Sequence, residues 1–353
     1  MPRVFRPSWI VISLSTLLLA SCSAVGDLSN LSLPKLSTAG ETLGARVSEM
    51  AIARNVSEVP QVDSDRLFGY VETLAFPRDD LPDRRRARQY LLETLTEAGW
   101  SPKLQAFEGG ANLVATRPGS DPEAGTILVG AHYDTVAGSP GADDNASGVA
   151  TVLELAQLLG EYPSRRRLTV VLFDREEDGL LGSLNFVSPD TTTDLRGAIV
   201  LEMTGYACYE VGCQTYPSGL RGDFPETGDF LGVVGNTAAS EVVAAFENLQ
   251  GEDLPDIVTL TVPFNGVAFP DLLRSDHAPF WLAGVGAVMV TDTANFRNPH
   301  YHRSSDTPET IDRPFLTGNA QAIVTAIAGL LEESRLNESK LKRGSMEFDR
   351  YHK

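Results

Sequence analysis

Side chains with the chemistry of metal ligands follow three apolar stretches of the sequence, close to where each stretch ends. His132 and Asp134 come after TILVGA, Glu176 and Glu177 follow LTVVLF, and Glu202 lies near the end of AIVLEM. Neighbouring carboxylates repel one another, and the repulsion raises their pKa values unless a positive charge lies among them. A bound cation is often the largest local charge in such a site. The residue types therefore predict a site for one metal ion or two.

A glycine-bounded loop between the first two stretches adds two more acids. This loop, PGADDNASG at 140–148, places Asp143 and Asp144 just before a predicted helix. A helix N-terminus favours a capping carboxylate or amide, so capping by Asp144 or Asn145 explains one acidic residue. Capping does not explain two acids together with a histidine and two glutamates at the same edge. We therefore assign the loop to the predicted metal site.

Histidine is scarce in this chain, which has five in 353 residues. The stretch NPHYHRSSDT at 298–307 offers His300 and His302, which would point to the same side of an extended segment at different depths. For His277, and for His300 taken alone, we expect a structural or surface role. His352 lies two residues from the end and is the least suited to a fixed site.

Near-continuous apolar strands alternate with helical patterns along most of the chain. The predicted strands are KLQAF, NLVAT, TILVGA (126–131), LTVVLF (168–173), AIVLEM (198–203), FLGVVG and VGAVMVT. Five helices are predicted. The first begins at the cap Asp83 and stops at Gly99, and the second runs from Ala146 to Leu159. The other three are GLLGSLNFV, about 238–249 and about 315–331. This alternation predicts an α/β fold with a mostly parallel central sheet and helices on both faces. Ligand sites of such sheets lie beyond the carboxyl ends of the strands, where the acids and His132 are found.

The N-terminus has the pattern of an export signal. Arg3 and Arg6 precede an apolar run of 12 residues, WIVISLSTLLLA, which is too short to cross a bilayer comfortably. The run ends in LASC, which resembles a bacterial lipobox, so Cys22 is the expected lipidation site; a plain secretory signal is the alternative. We expect a signal peptide at 1–21, a tether and lead-in at 22–60, a catalytic domain at 61–332 and a charged tail at 333–353. The protein would then be a periplasm-facing lipoprotein, held to a bacterial membrane through the lipid alone.

Charge and cysteine content exclude one class of partner and leave one question open. Lys and Arg number 29 against 47 Asp and Glu, a net charge of −18, so the chain lacks the basic surface that nucleic acid requires. Cys208 and Cys213 could form a small disulfide in an oxidising compartment, or remain free thiols. The surrounding segment 205–230 could form a wall of a substrate pocket, and so could RSDHAPFWLAG at 274–284. No protein partner is inferred.

Five blocks of sequence, in order, resemble the motif series of metallopeptidase family 28. They are GAHYDT, PGADDNASG, FDREEDGLLGS, LEM and NPHYHRSSDT, and the resemblance covers about residues 64–332. The resemblance implies a zinc exopeptidase, phosphorylase/hydrolase-like fold with two zinc ions per chain. It also implies peptide substrates, with aminopeptidase activity as the leading expectation.

The resemblance also implies roles for seven residues. One zinc would be held by His132 and Glu177, the other by Glu202 and His302, with Asp144 bridging the two. Leucyl aminopeptidases of this family have aspartate at the position of Glu202, but glutamate is also an acceptable zinc ligand.

The remaining two roles are catalytic and orienting. Glu176 would be the general base, and Asp134 would fix the tautomer of the His132 imidazole. Two other functions stay open: a glutaminyl-cyclase-like acyltransferase with one zinc, and a non-catalytic scaffold on the same fold.

Overall fold

The computed structural model describes residues 59–332, apart from 221–223, 248, 250 and 252. The expected signal peptide, Cys22, most of the tether and the tail at 333–353 lie outside the described residues. One eight-stranded sheet forms the centre of the described part. Its strands are β1 (Lys103–Phe107), β2 (Gly110–Arg117), β3 (Thr126–His132), β4 (Arg167–Phe173), β5 (Leu195–Leu201), β6 (Phe230–Asn236), β7 (Asp256–Val262) and β8 (Ala287–Thr291).

The strand order is β1-β2-β4-β3-β5-β8-β6-β7. The central strands β4, β3, β5 and β8 run parallel to one another, and β6 and β7 form a further parallel pair. The pairs β1-β2, β2-β4 and β6-β8 are antiparallel. The expected mostly parallel sheet is therefore confirmed. The edge strand β7 was not predicted, because its residues are mostly half-exposed and lack the continuous apolar run of the central strands.

Helices cover both faces of the sheet, as predicted. They are α1 (Ser64–Leu74), α2 (Leu81–Glu97), α3 (Gly148–Leu159), α4 (Leu181–Phe186), α5 (Pro189–Thr192), α6 (Ser240–Glu247), α7 (Ala278–Leu282) and α8 (Arg313–Glu332). Successive residues of a strand point to opposite faces. Accordingly, Ile127 and Val129 pack in the core with α1, α2, α3, α6 and α8, whereas Leu128 packs in a second core with α4 and α7. By length and composition α8 could cross a membrane, but 83% of its most apolar window is buried in the core.

Two predicted helix starts are corrected by the structure. Asp80, rather than Asp83, caps α2, because its side chain accepts the backbone N–H of Asp83. The next helix begins at Gly148 rather than Ala146. Residues Ala142–Ser147 form a distorted π-type turn in which Asp144 has a non-helical backbone, and the Asp144–Asn145 peptide is cis. The acids of this loop therefore precede the helix, as the sequence predicted.

A buried arginine connects this loop to the rest of the fold. Arg78 is 1% exposed, and burial lowers its pKa to about 10. Its guanidinium donates hydrogen bonds to the backbone carbonyls of Leu74, Phe76, Tyr133, Pro140 and Gly141. Because Pro140 and Gly141 lead directly into the turn that carries Asp144, this side chain fixes where the turn begins.

Replacing Arg78 with methionine should lower the free energy of unfolding by at least about 3 kcal/mol, since buried carbonyls would lose their donors. Arg85→Met, at an exposed position of α2, is the matched control and should have little effect. Urea denaturation of both variants measures the difference. Equal stabilities of the two variants would contradict the role assigned to Arg78.

Candidate metal centre

The carboxyl ends of three adjacent strands bring the predicted residues together. His132 is the last residue of β3, Glu176 and Glu177 follow the end of β4, and Glu202 follows the end of β5. These strands are neighbours in the order β4-β3-β5, so their ends meet at one edge of the sheet. Asp144 comes from the turn after β3.

His132, Asp144 and Glu202 form one group of possible ligands. His132 Nε2 lies 3.4 Å from Asp144 Oδ1 and 3.5 Å from Glu202 Oε2. All three residues are buried. They come from the end of one strand, the turn that follows it and the end of the next strand in the sheet.

Asp144, Glu177 and His302 form a second group, which shares Asp144 with the first. His302 Nε2 lies 3.2 Å from Asp144 Oδ2 and 3.2 Å from Glu177 Oε2. The two carboxylate oxygens of Asp144 thus face different histidines, which is the arrangement required of a bridging ligand.

This grouping differs from the pairing expected from the sequence. Glu202 contacts His132, and Glu177 contacts His302, so the two glutamates exchange places relative to the expectation. A third group does contain His132 with Glu176 and Glu177, but among the described residues no group unites His302 with Glu202. The exchange follows from the fold, since Glu202 lies on the strand next to His132.

Unpaired polar atoms and the charge balance of the two groups also indicate that they could bind a cation. His132 Nε2 and Glu177 Oε1 are buried and have no hydrogen-bond partner among the described residues. Burial alone would lower the pKa of His302, but its contacts with Asp144 and Glu177 raise it to about 9. For His132 as well, burial is outweighed by the carboxylates, chiefly Glu202 and Glu176, and its pKa is raised. The carboxylates therefore require positive charge, and imidazole nitrogens with carboxylate oxygens are a typical donor set of zinc.

Asp134 orients both the imidazole and the two-glutamate turn. Its carboxylate accepts the backbone N–H of Glu176 at 3.0 Å and that of Glu177 at 3.1 Å. His132 Nδ1 lies 3.2 Å from the Asp134 carbonyl oxygen and 3.5 Å from Asp134 Oδ1. These acceptors favour the tautomer protonated at Nδ1, which leaves Nε2 facing the acids.

Glu176 lies beside the two groups without entering either of them. The groups that contain Asp144 include Glu177 and Glu202 but, among the described residues, not Glu176. Its side chain is 7% exposed, and burial raises the pKa of its carboxyl despite the opposing effect of His132. A buried carboxylate that is close to the ligands but separate from them can exchange a proton with a molecule bound there.

Two positioning residues were not identified from the sequence. Asp306 accepts the backbone N–H groups of Asp143 and Asp144, at 2.9 and 3.0 Å. Ser275 Oγ donates to Glu202 Oε2 at 2.6 Å. Both residues lie inside quoted motifs, RSSDT and RSDHAPF, but nothing in the spacing of these motifs indicates which atoms they contact.

The remaining acids and histidines of these motifs have structural contacts. Asp143 accepts hydrogen bonds from the Gly205 N–H and from Asn298 Nδ2, at 2.9 and 2.7 Å. His277 is fully buried, its Nε2 lies 2.8 Å from the Leu272 carbonyl oxygen, and burial lowers its pKa to about 4. His300 Nδ1 lies 3.0 Å from Ser305 Oγ. The structural roles expected for His277 and His300 agree with these contacts.

The described residues of the segment 205–230 on either side of 221–223 are linked to one another near the metal-ligand groups. Cys208 and Cys213 are joined in a disulfide, and Cys208 exchanges two backbone hydrogen bonds with Gly228. Tyr216 and Phe224 of this segment line a cavity that reaches Glu202. Arg274 and Ser275, from the stretch 274–284, line the same cavity, so both stretches considered as pocket walls contribute to one.

The chain resembles proteins of known sequence. The profile of Peptidase family M28 matches residues 112–327, well over half of the chain. The chain is 31% identical over 288 residues to the uncharacterized protein YfbL of Escherichia coli K12, with 74% of this chain and 86% of YfbL covered. It is 29% identical over 251 residues to LpqL of Mycobacterium tuberculosis, named a probable lipoprotein aminopeptidase, with 63% of this chain and 46% of LpqL covered.

Among solved structures, the LapA aminopeptidase of Legionella pneumophila matches with a TM-score of 0.60. The alignment covers 87% of this chain and 78% of LapA at 17% identity, which shows a shared fold. The chain spans most of YfbL but less than half of LpqL. Because the profile match covers more than half of its residues, the chain belongs to Peptidase family M28.

Proposed function

We propose that the protein is a zinc-dependent exopeptidase that removes N-terminal residues from peptides. The observation that carries the proposal is the pair of ligand groups sharing Asp144, with the separate carboxylate of Glu176 beside them. The aminopeptidase names of LpqL and LapA support the same reaction class. Two overlapping groups favour two ions per chain, which argues against the cyclase-like alternative with one zinc.

In this proposal five residues hold the metal. His132 and Glu202 would bind one ion, Glu177 and His302 would bind the other, and Asp144 would contribute one oxygen to each group. Zinc bound by such residues polarises a peptide carbonyl and lowers the pKa of water. Asp134, Asp306 and Ser275 hold the ligands in place through the hydrogen bonds described above.

Glu176 is the proposed general base and then general acid. It accepts a proton from the attacking water and later donates it to the leaving amine. The Asp134 carboxylate accepts the backbone N–H of Glu176 at 3.0 Å, which holds the Glu176 side chain close to the ligands. The acidic surroundings also suit the positively charged α-amino group of a peptide N-terminus. An aminopeptidase requires that preference.

We also propose that the protein is exported and lipid-anchored through Cys22. The signal-like residues 1–21 and the lipobox-like LASC support this localisation, as does the name of LpqL. Peptides that reach the periplasm would then be the substrates.

Glu176→Gln should retain zinc and lose roughly 10²–10⁴-fold in the rate of aminoacyl-p-nitroanilide hydrolysis, because the amide cannot accept the proton. Asp178→Asn, an exposed neighbour in the same turn, is the control and should leave the rate nearly unchanged. Normal hydrolysis by the Glu176→Gln variant would show that another group is the base.

Zinc content of double variants tests how the ligands are grouped. Glu177→Ala with His302→Ala removes two ligands of one group and should leave about one zinc per chain. Glu202→Ala with His302→Ala damages both groups and should bind less. Elemental analysis of the dialysed proteins gives the result, and the opposite order would restore the pairing expected from the sequence.

Asp144→Asn should weaken both sites, so retention of all the zinc in that variant would reject the bridging role.

A further inference from the structure

A largely apolar cavity adjoins the candidate metal centre. Its lining reaches Glu202, and its walls include Phe230, Val234, Leu260 and Met289 from the sheet. Among the described residues that line it, only Arg274 carries a positive charge. Its side chain is half-exposed, so the guanidinium is accessible to a ligand that enters the cavity.

Arg274 lies next to residues that contact the ligands. Ser275, which follows it in the chain, donates its hydroxyl proton to Glu202. Tyr301, whose hydroxyl oxygen is 3.1 Å from Arg274 Nη2, stacks on the His302 ring with centroids 3.7 Å apart. A group bound to Arg274 would therefore lie beside the reacting end of a bound peptide.

Hydrogen bonds to uncharged side chains orient the Arg274 guanidinium. Arg274 Nη1 donates to Asn295 Oδ1 at 3.1 Å, Nη2 donates to the Tyr301 hydroxyl, and the nearest carboxylate oxygen, on Asp271, is 4.0 Å away. Several other arginines of the described part lie 2.6–3.0 Å from a carboxylate oxygen, namely Arg66, Arg84, Arg165, Arg175 and Arg313. The Asp271 contact is half-exposed, and such pairs contribute little. The Arg274 guanidinium therefore has charge and N–H donors available to bind a ligand.

We propose that Arg274 binds a carboxylate of the peptide substrate and selects acidic over neutral substrates. The inference rests on the proposed aminopeptidase function. A planar guanidinium recognises a carboxylate through paired hydrogen bonds, and a substrate carboxylate would displace the weak contact with Asp271. So close to the metal ligands, two substrate groups can supply the anion: the side chain of an N-terminal aspartate or glutamate, and the C-terminal carboxylate of a dipeptide.

Two pairs of substrates separate these sources. Glu-p-nitroanilide and Met-p-nitroanilide differ in the charge of the first side chain at similar length. Leu-Gly and Leu-Gly-amide differ in the C-terminal charge. The measured quantity is the ratio of kcat/KM for the charged substrate to that for the neutral one, in the wild-type protein and in Arg274→Gln.

We expect this ratio to fall by about tenfold to a hundredfold in Arg274→Gln for one of the two pairs, as for loss of a hydrogen bond to a charged group. A fall for the first pair identifies the N-terminal side chain as the anion, and a fall for the second identifies the C-terminus. Arg274→Lys, which keeps the charge without the fork, should give an intermediate ratio. Arg85→Gln, at an exposed position of α2, should leave both ratios as in the wild type.

Because Tyr301 stacks on His302, the zinc content of each variant is measured alongside. A fall in the ratio at wild-type zinc content supports the inference, whereas a fall only together with zinc loss overturns it. Unchanged ratios for both pairs, with the neutral substrates still hydrolysed, overturn the inference and leave the proposed function standing. Failure of the wild type to hydrolyse any of the four substrates overturns the proposed function, and the inference with it.

Discussion

The repulsion among buried carboxylates is the constraint on which the site depends. Glu176, Glu177, Glu202 and Asp144 meet at one sheet edge, and burial raises the pKa of Glu176 and Glu177. Without a metal ion, protonated His132 and His302 and the buried Arg78 would offset part of this charge. The acids raise the pKa of both histidines, so they demand positive charge beside them. A divalent ion between the histidines and the acids would meet this demand, with both imidazoles neutral. The same electrostatics that would destabilise an empty site would strengthen metal binding.

Two further carboxylates hold the ligand-bearing turns, and they do so in the same way. Asp134 accepts the backbone N–H groups of Glu176 and Glu177, and Asp306 accepts those of Asp143 and Asp144. Each therefore fixes two consecutive peptide units, which sets the direction of the side chains that follow. Irregular backbone next to a sheet would otherwise leave buried N–H groups without acceptors. The same hydrogen bonds therefore orient the ligands and provide acceptors for the backbone N–H groups of the turns.

The sequence was sufficient to predict some parts of the site and not others, for physical reasons. His132, Glu177 and Glu202 were predictable because parallel strands end at one edge, whatever the details of packing. The pairing of each glutamate with a histidine was not predictable, because it depends on strand order. Strand order is set by contacts between residues distant in sequence. Asp306 was missed because its partners are backbone N–H groups, which every residue but proline has. β7 was missed because a half-exposed edge strand has no continuous apolar pattern.

The substrate cavity is built from different parts of the chain than the ligand groups, and this separation has a consequence. The ligands come from strand ends and short turns, whereas Tyr216 and Phe224 come from a segment with little regular structure. The disulfide and the Cys208–Gly228 bridge close that segment at its base, and Gln214 ties it to Thr293 and Arg297. Closing a short loop restricts the conformations of its residues without help from the sheet. The wall of the cavity can therefore change without moving the candidate metal ligands.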